Sequence, residues 1–140
     1  MKMLKSSLLT LIFILSLFSC NAQKSDNQKT QNVKSEDVQV YYFHNTKRCV
    51  TCNAVENETK VALAMFYEDK MNAGTMEFTS LNLEENDGKK MAQVLHVSGQ
   101  TLLIVKGDTH VNLTNEGFMN ARTNPTKFHE ILKTKIDKLL

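Results

Sequence analysis

Apolar positions between residues 37 and 140 change their period several times, and each change marks an element. Val38 to His44 places Val38, Val40 and Tyr42 on one face and Tyr41 and Phe43 on the other. Apolar side chains on both faces predict a central strand. From Asn53 onward, Val55, Thr59, Ala62, Leu63 and Phe66 recur at the spacing of one helix face, with Glu56, Glu58 and Lys60 expected to point outward. Gly74 closes that helix, and Met76 to Leu83 reads as a second strand. Glu85 to Leu95 predicts a short helix with Met91, Val94 and Leu95 as its apolar side, broken at Ser98-Gly99. Thr101 to Val105 is the strongest strand signal. Lys106-Gly107-Asp108 reads as a turn, and Thr109 to Leu113 returns as a hairpin partner. Asn124-Pro125 supplies a cap and a first helical residue. Phe128, Ile131, Leu132, Lys135, Ile136 and Leu139 then repeat at helical spacing.

The element order is β-α-β-α-β-β-α. The first half demands parallel strands joined by helical crossovers, and the second half adds an antiparallel hairpin and a covering helix. The fold class is therefore α/β, a mixed central sheet flanked by helices. About a hundred residues suffice for one small core, and no internal repeat is visible.

Residues 1–19 have a different character. Lys2 and Lys5 precede an apolar stretch, Leu8 to Phe18, that is short for a membrane span. It ends in Leu17-Phe18-Ser19-Cys20, which resembles the lipobox of bacterial lipoprotein signals. That resemblance implies acylation of Cys20, export, and a membrane anchor. The competing reading is an ordinary secretory signal with an incidental cysteine. Residues 20–36 are rich in Gln, Lys, Ser, Asn and Asp, with Val33 the only sizeable apolar residue after the cysteine. Such a segment buries too little to order itself and predicts a disordered tether. It would reach about 50 Å when extended. The folded domain is expected over 37–140.

Charge and cysteine count narrow the function classes. Seventeen Lys and Arg stand against fifteen Asp and Glu. Lys2 and Lys5 leave with the signal, and what remains is balanced. No basic patch with interleaved aromatics is present, so nucleic acid is not an expected partner. Of the three cysteines, Cys20 is assigned to the anchor, which leaves Cys49 and Cys52 as a pair. A single close pair is not a disulfide-stapled scaffold.

The pair stands as Cys49-Val50-Thr51-Cys52, after the first strand and before the first helix. A helix N-terminus carries partial positive charge and free N–H groups. Both favour the thiolate, the reactive form of cysteine. Lys47 and Arg48 precede the pair, either as an ordinary solvated loop or as charges tuning the thiolate. Three readings of the pair compete: a structural disulfide, thiol–disulfide exchange through a redox-active Cys49–Cys52 disulfide, and binding of a soft metal or metalloid such as Cu(I) or arsenite. In the exchange reading Cys49 attacks and Cys52, one turn inward, resolves. In the metal reading His44 would join Cys49 and Cys52 as a third ligand, although a fourth is not evident; its plainer role is a strand-end histidine bonded to a loop. His96, His110 and His129 lack paired spacing and read as surface residues.

The position of Cys-x-x-Cys within this element order resembles the thioredoxin fold over nearly all of 37–140. Four stretches are similar to a narrower thioredoxin-like family, the nitrophenyl compound nitroreductase subunit ArsF family. They are Val40 to His44, Arg48 to Glu56, Val97 to Gly107, and Asn120 to Pro125. The resemblance implies a bacterial envelope protein facing the periplasm and acting by thiol–disulfide exchange with another envelope protein. No Gly-x-Gly-x-x-Gly is present for a flavin or nicotinamide, so the implied role is an accessory electron carrier without a bound cofactor. The chain departs from ordinary thioredoxins in several places. It has no Trp, and Val50-Thr51 stands between the cysteines. Gly99 or Gln100 stands where thioredoxins keep a cis-proline, so Gly99, Gln100 and Thr101 form the expected substrate-docking loop. The buried acid of the thioredoxin central strand has no counterpart, and Glu56, four residues after Cys52, is its nearest stand-in.

Overall fold

The computed structural model describes residues 36–140. The expectations for 1–19, for Cys20 and for nearly all of the tether over 20–36 lie outside the described residues. The elements are β1 (Val38–His44), α1 (Val50–Asn72), β2 (Met76–Asn82), α2 (Asn86–Val94), β3 (Thr101–Lys106), β4 (Thr109–Asn112), α3 (Thr114–Asn120) and α4 (Pro125–Asp137).

The sheet order is β2-β1-β3-β4. β1 runs parallel to β2, from Val38 opposite Met76 to His44 opposite Asn82. It runs antiparallel to β3, from Gln39 opposite Val105 to Phe43 opposite Thr101. β3 and β4 form the expected hairpin, turning through Gly107 at a left-handed φ of 54°. This mixed four-stranded sheet flanked by helices is a thioredoxin-like α/β fold. As its two apolar faces require, β1 lies inside the sheet.

The two faces of β1 feed two cores. Val38, Val40 and Tyr42 pack with Val55, Ala62 and Leu63 of α1 and with Phe128, Leu132 and Ile136 of α4. Tyr41 and Phe43 pack with Leu103 and Ala92 beneath α2. The start of α4 is built as its sequence implies: Asn124 Oδ1 accepts from Lys127 N–H at 3.2 Å, and Pro125 follows.

Three expectations need correction. α3 is an additional helix between the hairpin and α4, so the order ends β-β-α-α. Its Gly117 lies against Val55 and Phe128: a Cβ there would stand 3.1 Å from a Val55 methyl carbon. Val94 does not face the core. It is 69% exposed, because α2 packs Gly88, Met91, Ala92 and Leu95 against the sheet and leaves Val94 outside. Glu56 does not face out. It is 7% exposed and is held by charged partners, Arg48 and Lys60. A further difference concerns His129, which is half-buried and donates from Nε2 to Glu58 Oε2 at 2.8 Å, tying α4 to α1.

Candidate functional site

β1 ends at His44 and the chain turns through Asn45 to Arg48 before α1 begins. That loop is pinned to the end of β2. Leu83 N–H donates to His44 C=O at 2.8 Å. Thr46 N–H donates to Glu84 Oε1 at 3.1 Å, and Asn82 Nδ2 donates to Thr46 Oγ1 at 3.0 Å. The loop delivers Cys49 as the N-cap of α1 in extended conformation.

Cys49 and Cys52 are joined as a disulfide. Cys49 Sγ accepts the Cys52 N–H at 3.1 Å, the bond that Ser or Asp would make at an N-cap. The first turn of α1 contains no acidic residue to oppose the positive end of the helix. The two sulfurs sit in different surroundings. Cys49 is exposed, as is its neighbour Val50 at 70%. Cys52 is only 3% exposed. An approaching molecule therefore meets Cys49 first.

Arg48 leads away from the surface. Its guanidinium ion-pairs with Glu56 and lies 5.5 Å from the centroid of the Tyr42 ring. Its Nη2 makes a long contact to Cys52 C=O at 3.5 Å, and its Nε is buried without a partner. Lys60 Nζ donates to Glu56 Oε1 at 2.6 Å, so the carboxylate is held from two sides. Burial acts to raise the Glu56 pKa. Hydrogen bonds and charge from Lys60 and Arg48 outweigh it and hold the carboxyl below its ordinary value. Tyr42, fully buried beneath Arg48, donates its O–H to Cys52 C=O at 3.0 Å. Burial pushes the Tyr42 hydroxyl above its ordinary value, although Arg48 pulls it down. It is thus a neutral donor throughout the physiological range.

Gln100 approaches from the opposite side. It stands in the turn before β3, which Thr101 steadies by donating Oγ1–H to Gly99 C=O at 2.9 Å. Gln100 Oε1 lies 3.2 Å from Cys52 Sγ. No cis peptide bond occurs among the described residues.

Of the residues singled out in the sequence, the structure gathers Cys49, Cys52, Arg48, Glu56 and Gln100. Lys47 is exposed and makes no ion pair among the described residues. Gly99 and Thr101 shape the turn that carries Gln100. His44 is not drawn to the sulfurs: its Nδ1 donates to Asn45 C=O at 3.0 Å, and its ring lies 6.1 Å from that of Tyr42. Among the described residues no group of three or more His, Cys, Asp or Glu side chains could hold a metal ion. Tyr42 and Lys60 are additional members that the sequence analysis missed. Lys60 carried a signal, since Glu56 and Lys60 are four apart and face each other on a helix. Tyr42 carried only the general one, that a buried phenol needs a hydrogen-bond partner.

No family model matches the chain, and no curated protein matches it. Among solved structures, one described as the structure of a malarial protein is similar over 53% of this chain and 74% of its own, with 20% identity and a TM-score of 0.39. No helix of the described residues is long and apolar enough to cross a membrane.

Proposed function

We propose that this chain is a thiol–disulfide exchange protein whose working group is the Cys49–Cys52 pair. The observation that carries the reading is the asymmetry of that pair. One sulfur is exposed and caps a helix while accepting a backbone N–H, and the other is buried one turn inside. A structural role explains this poorly. The two cysteines are three residues apart, so their bond closes a very small loop and removes little entropy from the unfolded chain.

In the reduced protein the N-cap bond and the helix end stabilise a thiolate on Cys49. That thiolate attacks one sulfur of a partner disulfide. A Cys49–partner bond forms, the partner's own S–S bond breaks, and the freed partner sulfur leaves with the electron pair and takes a proton. Cys52 then attacks Cys49 Sγ, restoring the Cys49–Cys52 bond and releasing the second partner sulfur as a thiol. Two electrons pass to the partner, which takes up one proton given up by Cys52 and one from solvent. Run backwards, the same steps oxidise a partner dithiol.

The resemblance to the nitrophenyl compound nitroreductase subunit ArsF family supports an accessory, electron-carrying role beside another envelope protein. The lipobox-like ending at Cys20 supports export and a lipid anchor facing the periplasm. A Cys20→Ala variant expressed in a bacterial host should then lose incorporation of labelled fatty acid.

The central test is trapping. Cys52→Ala should accumulate a mixed disulfide between Cys49 and its partner, and Cys49→Ser should form none. Ordinary turnover by Cys52→Ala would refute the assignment.

A further inference from the structure

We propose that Gln100 is a positioning residue for Cys52, setting whether that buried sulfur carries its proton. The proposal rests on the exchange reading above and adds a residue the pair itself does not supply.

The contact is specific. Cys52 is 3% exposed, and the amide of Gln100 reaches its Sγ at 3.2 Å from a turn 48 residues away in the chain. A primary amide is unusual as a neighbour because its two ends have opposite character. Oε1 accepts hydrogen bonds, and Nε2 donates them. A half-turn about the last side-chain bond exchanges them in the same space.

The inner sulfur passes through three states, and each asks something different of its neighbour. A thiol donates S–H and is complemented by Oε1. A thiolate accepts and is complemented by Nε2–H. A disulfide sulfur is at most a weak acceptor. With Oε1 turned to Cys52, the dithiol form shares its charge unequally: Cys52 keeps its proton on Gln100, and Cys49 holds the negative charge at the helix end. Once Cys49 is bound to a partner, Cys52 must ionise to attack. The other end of the amide then meets the thiolate. Arg48 and Tyr42 cannot substitute for it, because both address the Cys52 carbonyl and not its sulfur.

Cys52 S–H releases its proton, and its electron pair forms the bond to Cys49 Sγ. The bond between Cys49 and the partner sulfur breaks, and its electron pair leaves with that sulfur, which takes up a proton.

The experiment isolates this step. The reduced protein is charged on Cys49 with 5-thio-2-nitrobenzoate by treatment with its symmetrical disulfide. Release of the coloured thiolate as Cys52 closes the ring is followed by stopped flow across pH. Gln100→Leu keeps the bulk and removes both hydrogen-bonding ends. It should slow release about tenfold at neutral pH, as loss of one hydrogen bond to a charged group implies, and move the pH midpoint of release upward. Gln100→Glu, accept-only when ionised, should slow release further above the carboxyl pKa, and its deficit relative to the native protein at the same pH should shrink below it. The initial attack by Cys49 should slow less than ring closure in both variants, since the helix end and the Cys52 N–H still hold the charge on Cys49. Release by Gln100→Leu with the native rate and midpoint overturns the proposal while leaving exchange intact. Failure of the native protein to release the thiolate at all overturns the exchange reading and this proposal with it. Circular dichroism of each variant confirms that the step is measured on folded protein.

Discussion

Arg48 forms its ion pair with Glu56, so the cation next to Cys49 in the chain is committed to a carboxylate on the second turn of α1. Much of the charge that the sequence places beside the thiol is therefore neutralised. This arrangement predicts a double-mutant cycle in the reactivity of Cys49. Glu56→Gln leaves Arg48 uncompensated and should stabilise the thiolate, raising the rate of iodoacetamide alkylation of the reduced protein about twofold at pH 6. Arg48→Met leaves the carboxylate with Lys60 alone and should lower the rate by a similar factor. The double variant should return close to the native rate. Slower alkylation in Glu56→Gln would show that the pair's charge does not reach the thiol.

The same carboxylate predicts an acid sensitivity with a definite sign. The Glu56 pKa lies below its ordinary value of 4.5 in the folded protein, because bonds from Lys60 and Arg48 outweigh the opposing effect of burial. As pH falls, the unfolded chain takes the proton first, which favours unfolding. The stabilisation contributed by Glu56 is thus complete above about pH 5 and is lost as pH falls through the lowered folded value. Glu56→Gln should be less stable than native by about 1.5–3 kcal/mol at pH 7, the range for hydrogen bonds to a charged group. Urea titrations at pH 7 and pH 3 should find that deficit shrinking toward acid. A deficit of equal size at both pH values would assign the effect to packing.

The fold was readable wherever a short-range pattern also determined burial. Alternation on both faces of Val38 to His44 marked an interior strand, and Asn124-Pro125 marked the start of α4. α3 was not readable. Its seven residues include Gly117, have little intrinsic helicity, and form because Gly117 admits close packing on Val55 and Phe128. Val94 misled for a related reason: the close approach of Gly88 to the Asn82 backbone sets which side of α2 meets the sheet, and Met91 and Leu95 pack there while Val94 does not. Glu56 misled because charge suggests solvent, whereas here the partly buried Arg48 and the exposed Lys60 reach in to hold it. At the site, the cysteine pair and its place at a helix start were visible. The contacts of Cys52 with Tyr42 and Gln100 span 10 and 48 residues, and only the assembled sheet brings them together.

Gly88 and Gly99 should respond very differently to the same substitution. A Cβ on Gly88 would fall 1.9 Å from Asn82 O and 2.5 Å from Asn82 C, both backbone atoms at the end of β2. α2 would have to move off the sheet. Gly88→Ala should therefore destabilise by about 1–3 kcal/mol, despite a helix-propensity gain of up to about 1 kcal/mol. A Cβ on Gly99 meets nothing within 4 Å. Gly99→Ala should stay within about 0.5 kcal/mol of native. Urea midpoints of the two variants give the comparison, and a neutral Gly88→Ala would mean that α2 is free to shift.

Tyr42→Phe separates support of the Cys52 backbone from control of its sulfur. The Tyr42 O–H donates to Cys52 C=O at 3.0 Å within the core, and the ring is fully buried. Removing the hydroxyl keeps the ring packing and deletes one neutral hydrogen bond, which costs about 0.5–1.5 kcal/mol. Burial raises the Tyr42 pKa, with Arg48 pulling against it, so the phenol stays protonated across the working range. The loss in urea stability should accordingly be constant from pH 5 to about pH 9, unlike that of Glu56→Gln. Because the hydroxyl touches the carbonyl and not the sulfur, release of thionitrobenzoate from Cys49 should remain within about twofold of native, with its pH midpoint unmoved. A midpoint shift as large as that of Gln100→Leu would mean that the ionisation of Cys52 is governed through its peptide group, and the distinct role assigned to the amide would then fail.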